Sequence, residues 1–216
     1  MKENISIFVK FLSPKYIDDL LNGKIFMNRL NYFIDLESDG IKGQGDILEG
    51  KIPYDFIKFR DGVTETKVTR YVSYGMESYP VYCLMQLFPY AFNKNGAMYK
   101  FSSFEQYNQM RHFSEDCVVI HNPDEFIKRF QMACTRQNLK FYHAKVYYDE
   151  DDFLNQLVYN EINKENIKSI FYKNSFFKLQ QEYRFCIFTK VQSSFVLDIG
   201  NIRDVAVVRK TSDFFK

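Results

Sequence analysis

The segment Gln180-Gln181-Glu182-Tyr183-Arg184-Phe185 sets an amide, an acid and a guanidinium at every second position. As a strand it would turn Gln180, Glu182 and Arg184 to one face and Gln181, Tyr183 and Phe185 to the other. A carboxylate held beside a guanidinium in a cleft can orient a polar substrate or stabilise developing positive charge. The plainer alternative is a solvated sheet face, on which Glu182 and Arg184, roughly 6.5 to 7 Å apart, make a weak surface ion pair. Just upstream, Tyr172-Lys173 offers a ring and an ammonium to the same cleft. As the end of a helix, Lys173 would instead satisfy terminal carbonyls.

Other chemistries have weaker signals. No P-loop, G-x-G-x-x-G, G-x-S-x-G, H-E-x-x-H or kinase signature is present. Cys83, Cys117, Cys134 and Cys186 lie far apart among apolar neighbours, which suits free buried thiols better than a metal or disulfide framework. His112, His121 and His143 are equally dispersed, so no metal is expected. The acidic run Asp149 to Asp152 sits where it would complement a helix dipole, with a metal site as the lesser alternative.

The elements that must hold these residues can be read from periodicity. Ile5, Ile7, Val9 and Phe11 alternate as a strand. Ser13 and Pro14 open a helix bearing Ile17, Leu20 and Leu21, Gly23 stops it, and Lys24 to Asn28 forms a second strand. Arg29 to Gly50 reads as one long polar loop anchored by Tyr32 and Phe33, a length that usually signals function. Tyr54 to Arg60 and Val63 to Val72 flank Asp61-Gly62 as a hairpin. Further strands are expected at Val81 to Phe88, Ala97 to Phe101, Cys117 to His121, Phe141 to Tyr148, Gln181 to Phe188, Ser194 to Ile199 and Val205 to Arg209. Helices are expected at Ser103 to His112, after the Asn122-Pro123-Asp124-Glu125 capping pattern, and around Phe153 to Val158. Strands and helices mix without alternating strictly, so the class is α+β: a single domain over residues 1–216, with a mixed or antiparallel sheet and flanking helices.

Composition bounds the partners. The 216 residues carry 29 Lys and Arg against 27 Asp and Glu, a net charge of +2. Nucleic acid is neither announced nor excluded by that balance. The run Val81 to Met85 ends at Gln86, well short of a membrane span, and residues 1–4 carry no apolar signal core, so a cytoplasmic protein is expected.

Three short blocks, L-L-N-G-K-I-F-M-N-R-L-N-Y-F after the early K-F, G-D-I-L-E-G at Gly45 to Gly50, and Y-K-N-S-F-F-K-L-Q-Q-E-Y-R-F, resemble a broad bacterial and phage family near abortive-infection proteins. The family's strand-ending asparagine and following aromatics match Asn28, Tyr32 and Phe33, and its late acid and arginine match Glu182 and Arg184. The mid-chain tryptophan of relatives is missing. The layout also resembles, remotely, the ADP-ribosyltransferase fold. That resemblance implies NAD as cofactor, with Lys10 as the early basic residue, Ser102 as the middle serine, Glu182 as the catalytic acid and Gln180 completing a Q-x-E motif. Tyr172, Lys173 and Arg184 would complete the nucleotide-binding wall.

The expectation is therefore a protein of phage and host conflict with an ADP-ribosyltransferase-like, nucleotide- or NAD-binding cleft. The alternatives are a non-catalytic binder of a host or phage protein, acting through exposed aromatics, and an RNA- or DNA-targeting toxin.

Overall fold

The computed structural model describes residues 6–38, 45–60, 64–73, 75–94, 96–148 and 167–215. In chain order its elements are β1 (Ile7–Phe11), α1 (Ile17–Leu21), β2 (Lys24–Arg29), α2 (Asn31–Ser38), β3 (Lys51–Arg60), β4 (Thr64–Ser73), β5 (Pro80–Leu87), β6 (Ala91–Asn93), β7 (Gly96–Met98) and α3 (Phe104–Phe113). There follow β8 (Asp116–Ile120), α4 (Pro123–Arg136), β9 (Phe141–Lys145), β10 (Tyr147–Tyr148), β11 (Tyr172–Lys173), β12 (Glu182–Ile187), β13 (Phe195–Asp198) and β14 (Ala206–Lys210). The protein is a mixed α+β fold, with a largely antiparallel sheet and flanking helices.

The eight-stranded sheet is organised around β5. Met85 faces Val9 on one side and Glu182 on the other, and Val81 faces Asn28 and Cys186. One edge of β5 is thus covered along its length by β12, with β9 beyond it. The other edge is shared: β1 pairs with its end at Met85 to Leu87, β2 with its start at Pro80 and Val81. Between them, at Tyr82, Cys83 and Leu84, the sheet forks. One arm runs β1-β8-β14 and the other β2-β13.

Alternation distributes the side chains. Phe8, Leu84, Val118, Phe185 and Ile187 pack with Leu20 and Leu21 of α1 and with Phe126, Phe130, Ala133 and Cys134 of α4. The opposite face of β1 and β8, Ile7, Val9, Cys117 and Val119, packs with Met110 of α3 and Phe214. Asn122 caps α4 by accepting from the Glu125 amide, as its sequence predicts, and Ser103, expected within α3, instead caps it by accepting from the Gln106 amide.

Several expectations need correction. The Arg29 to Gly50 stretch is not a continuous loop, because α2 occupies its first part: Leu30 is buried, and the Asn31 amide bonds the Asp35 carboxylate one turn on. The β3/β4 hairpin forms, with Arg60 opposite Thr64, and the expected Asp61-Gly62 turn lies outside the described residues. Phe141 to Tyr148 is two strands: β9 runs antiparallel to β12, whereas β10 lies parallel to β11. Lys173 does not end a helix but lies in β11, after the 3-10 turn Ile167–Phe171. The run Asp149 to Asp152 and the helix expected around Phe153 to Val158 lie outside the described residues. No helix among the described residues is long and apolar enough to cross a membrane.

Candidate functional site

The strand β12 begins one residue later than its sequence pattern suggests. Gln180 ends the 3-10 helix Ser175–Gln180, and Gln181 takes a left-handed conformation (φ 43°) that turns the chain into the strand. From there alternation holds, with Tyr183 and Phe185 in the core and Glu182 and Arg184 on the other face. That face is not solvated: Glu182 is 6% exposed and Arg184 only 1%. The surface ion-pair alternative therefore gives way to a buried charge cluster.

Arg184 is its centre. Its Nε donates to Glu182 Oε1 at 2.5 Å, and its Nη2 to Glu182 Oε2 at 3.2 Å. Glu49, from the turn Gly45 to Gly50, accepts from Nη1 at 2.6 Å and from Nη2 at 3.0 Å, while Nη1 also donates to the Ile170 carbonyl. Every N–H of the guanidinium is used, as burial of such a group demands. Lys173 joins from β11, donating to Gln180 Oε1 at 2.9 Å and to Glu182 Oε2 at 3.1 Å. Tyr148 of β10 closes the shell by accepting the Glu182 backbone N–H at 3.0 Å.

The electrostatics follow from this packing. Burial alone would raise the Glu182 carboxyl, but the charges of Arg184 and Lys173 outweigh it and hold that carboxyl well below the usual range. Burial likewise opposes the charge on Lys173, yet Glu182 and Glu49 hold its ammonium above its ordinary value. Burial, with the Glu182 charge nearby, pushes the Cys83 thiol up, so it stays protonated. Asp46 behaves differently. It is buried, its Oδ1 accepts the Leu48 amide, its Oδ2 has no partner, and burial together with nearby Glu49 pushes it up to about 6.

The cluster floors a cavity of about 250 Å³ whose walls include Val9, Phe11, Met110 and Phe113. A second cavity, of about 520 Å³, opens on the other side of the fork, lined by Asn28, Val81, Tyr82 and residues of α1. The two share Lys10, Phe11, Tyr32, Phe33 and Cys83. Lys10 sits at the junction: its Nζ donates 2.8 Å to the Cys83 carbonyl, which faces the gap between β1 and β2, and lies 4.6 Å from the centre of the Tyr82 ring.

All the residues expected to form the cleft line one or both cavities except Ser102 and Tyr172. Lys10, Asn28, Tyr32, Phe33, Lys173, Gln180, Glu182 and Arg184 are brought together. Ser102 is in a bend ahead of α3, where it bonds Gln106, whose amide in turn donates to the Leu179 carbonyl at 2.6 Å. Tyr172 is buried in β11 opposite Tyr147. No family model, curated protein or solved structure matches the chain. The site must be judged on its geometry.

That geometry includes residues the sequence reading passed over. Glu49 and Asp46 stand in a glycine-bounded turn, and the available signal was a pair of acids set between Gly45 and Gly50 in an otherwise polar stretch. Cys83 and Tyr148 gave none, since each lies in an ordinary apolar strand pattern. Among the described residues no three His, Cys, Asp or Glu side chains gather as a metal ion would require.

Proposed function

We propose that the forked sheet binds a nucleotide or NAD-like molecule across its two cavities. The observation that carries this reading is the junction itself, where a cation, Lys10, and three aromatic residues, Phe11, Tyr32 and Phe33, border both spaces. The smaller cavity falls below the roughly 300 Å³ at which small-molecule sites begin, so a ligand larger than one ring must pass the junction into the second. Among the described residues no carboxylate lies within ion-pair distance of the Lys10 ammonium, which leaves it suited to an anionic group such as a phosphate. The Tyr82 hydroxyl, buried beside the second cavity and without a partner among the described residues, is a donor that an acceptor on the ligand would satisfy.

The carboxylate chemistry of ADP-ribosyl transfer fits less completely. Both oxygens of Glu182 already accept from Arg184 or Lys173, so hydrogen-bonding a ribose would require one cation to let go. Glu182 acts first as the group that fixes Arg184 and Lys173. Binding is accordingly the core of the proposal, turnover a further step, and a place in phage and host conflict the setting that the sequence resemblance implies. A second reading, docking of a partner protein, is favoured by exposed rings: Phe88, Tyr90 and Phe92 around β6, and Phe104 beside Phe215.

Thermal unfolding with and without NAD tests the proposal. A ligand at 100 times its dissociation constant adds about 2.7 kcal/mol to the native state, a readily visible rise in midpoint. An unchanged midpoint at millimolar NAD and millimolar ADP would sink the nucleotide reading and direct the search to protein partners.

A further inference from the structure

We infer that Lys10 is a nucleophilic amine that condenses with small aldehydes carrying an apolar group that enter the fork. This goes beyond nucleotide binding and does not depend on it. The placement of Lys10 is unusual for a lysine. It rises from the interior strand β1, half-buried, into the junction of two cavities, with one hydrogen-bond acceptor, the Cys83 carbonyl, and one ring face, Tyr82, as its surroundings. The cluster next to it is already internally paired: Glu182 and Glu49 are engaged by Arg184, and Lys173 bonds Glu182. Burial lowers the Lys10 pKa, and the opposing influence of Cys83 and Glu182 does not restore it. A lysine desolvated in this way holds more free amine at a given pH than an exposed one.

The step balances without an oxidant. The ammonium first gives a proton to solvent. The Nζ lone pair then attacks the carbonyl carbon, the C=O π pair takes up a proton, and a carbinolamine forms. Loss of its hydroxyl with the remaining amine proton, as water, leaves the C=N imine. The aldehyde's apolar part would lie along Phe11 and Phe33, which line both cavities.

The test uses the whole chain, propionaldehyde as the probe and cyanoborohydride to reduce any imine to a stable secondary amine. Peptide mass mapping then compares Lys10 with Lys128, whose side chain is 67% exposed. A lowered pKa leaves more free amine at neutral pH, so Lys10 should be labelled faster than Lys128 at pH 7, with the lead narrowing as pH approaches 10. A lysine with only a structural role would react more slowly than Lys128, and that result overturns the inference. Adding NAD keeps the two claims separate. Slower labelling of Lys10 would support occupancy of the fork, whereas fast labelling unaffected by NAD would uphold the amine and count against the nucleotide.

Discussion

Arg184 shows what a single buried guanidinium requires. Two carboxylates, one from its own strand and one from a turn distant in sequence, engage it from both sides. The nearer partner, Glu182, was legible because alternation sets it two residues away. Glu49 was not, since nothing local in Gly45 to Gly50 says which charge it will meet. Replacing Arg184 with Leu leaves two buried acids with Lys173 as their remaining cation, and loss of one partner from such a cluster costs about 3 to 5 kcal/mol. Denaturant unfolding of Arg184→Leu should show a drop of that size, and a loss under 1 kcal/mol would mean the cluster is wetter than its geometry implies. Asp46 predicts the opposite sign. Its folded pKa of about 6 lies above the ordinary 3.8, so folding takes up a proton between these values, and the fold gains stability as pH falls through that window. Above pH 6 the ionised carboxylate costs about 3 kcal/mol at most, since each pKa unit is about 1.4 kcal/mol. Asp46→Asn, which keeps an acceptor for the Leu48 amide, should therefore stabilise the protein at pH 8 and lose that advantage below pH 4. Parallel unfolding curves at the two pH values would decide it.

Short elements were read well where a strong terminus marks them. Asn122-Pro123 announced α4 by a cap that the fold uses, whereas Ser103, placed within α3 by its sequence, is the residue that caps it. Asn122→Ala should cost about 1 kcal/mol, the usual value of such a cap, as read from chemical denaturation. By contrast α2 went unseen, because its eight residues complete barely two turns and the glycines that follow dominate the composition of the window. The stop after α1 rests on firmer ground. Gly23 has φ 91°, and a β-carbon there would lie 1.9 Å from the Gly200 carbonyl oxygen, backbone that cannot swing aside. Gly23→Ala should thus lower the melting midpoint more than Gly50→Ala, where the obstacle is the flexible end of Leu30. Equal losses at the two sites would show that the Gly23–Gly200 approach relaxes more easily than its geometry suggests.

Across the whole molecule the class of fold was legible and the fork was not. Mixed, non-alternating strands and helices already implied α+β, but periodicity carries no information on which strand shares an edge with which. The fork arises because β1 and β2 meet β5 at opposite ends, leaving Tyr82 to Leu84 between them. Residues from both ends of the chain, Lys10, Tyr32 and Phe33 with Gln180 to Arg184, converge there for that reason. Ser102, grouped with them by the sequence, lies instead at the entry of α3, linked through Gln106 to the Leu179 carbonyl. The decisive property of the gap is whether it holds a ligand. Calorimetric titration of NAD into the wild type and Lys10→Gln, each first shown to be folded by circular dichroism, asks this directly. Saturable binding to the wild type that is weakened at least tenfold in the variant, about 1.4 kcal/mol, is the predicted result. No heat at millimolar NAD, or equal affinity in the two proteins, would contradict it.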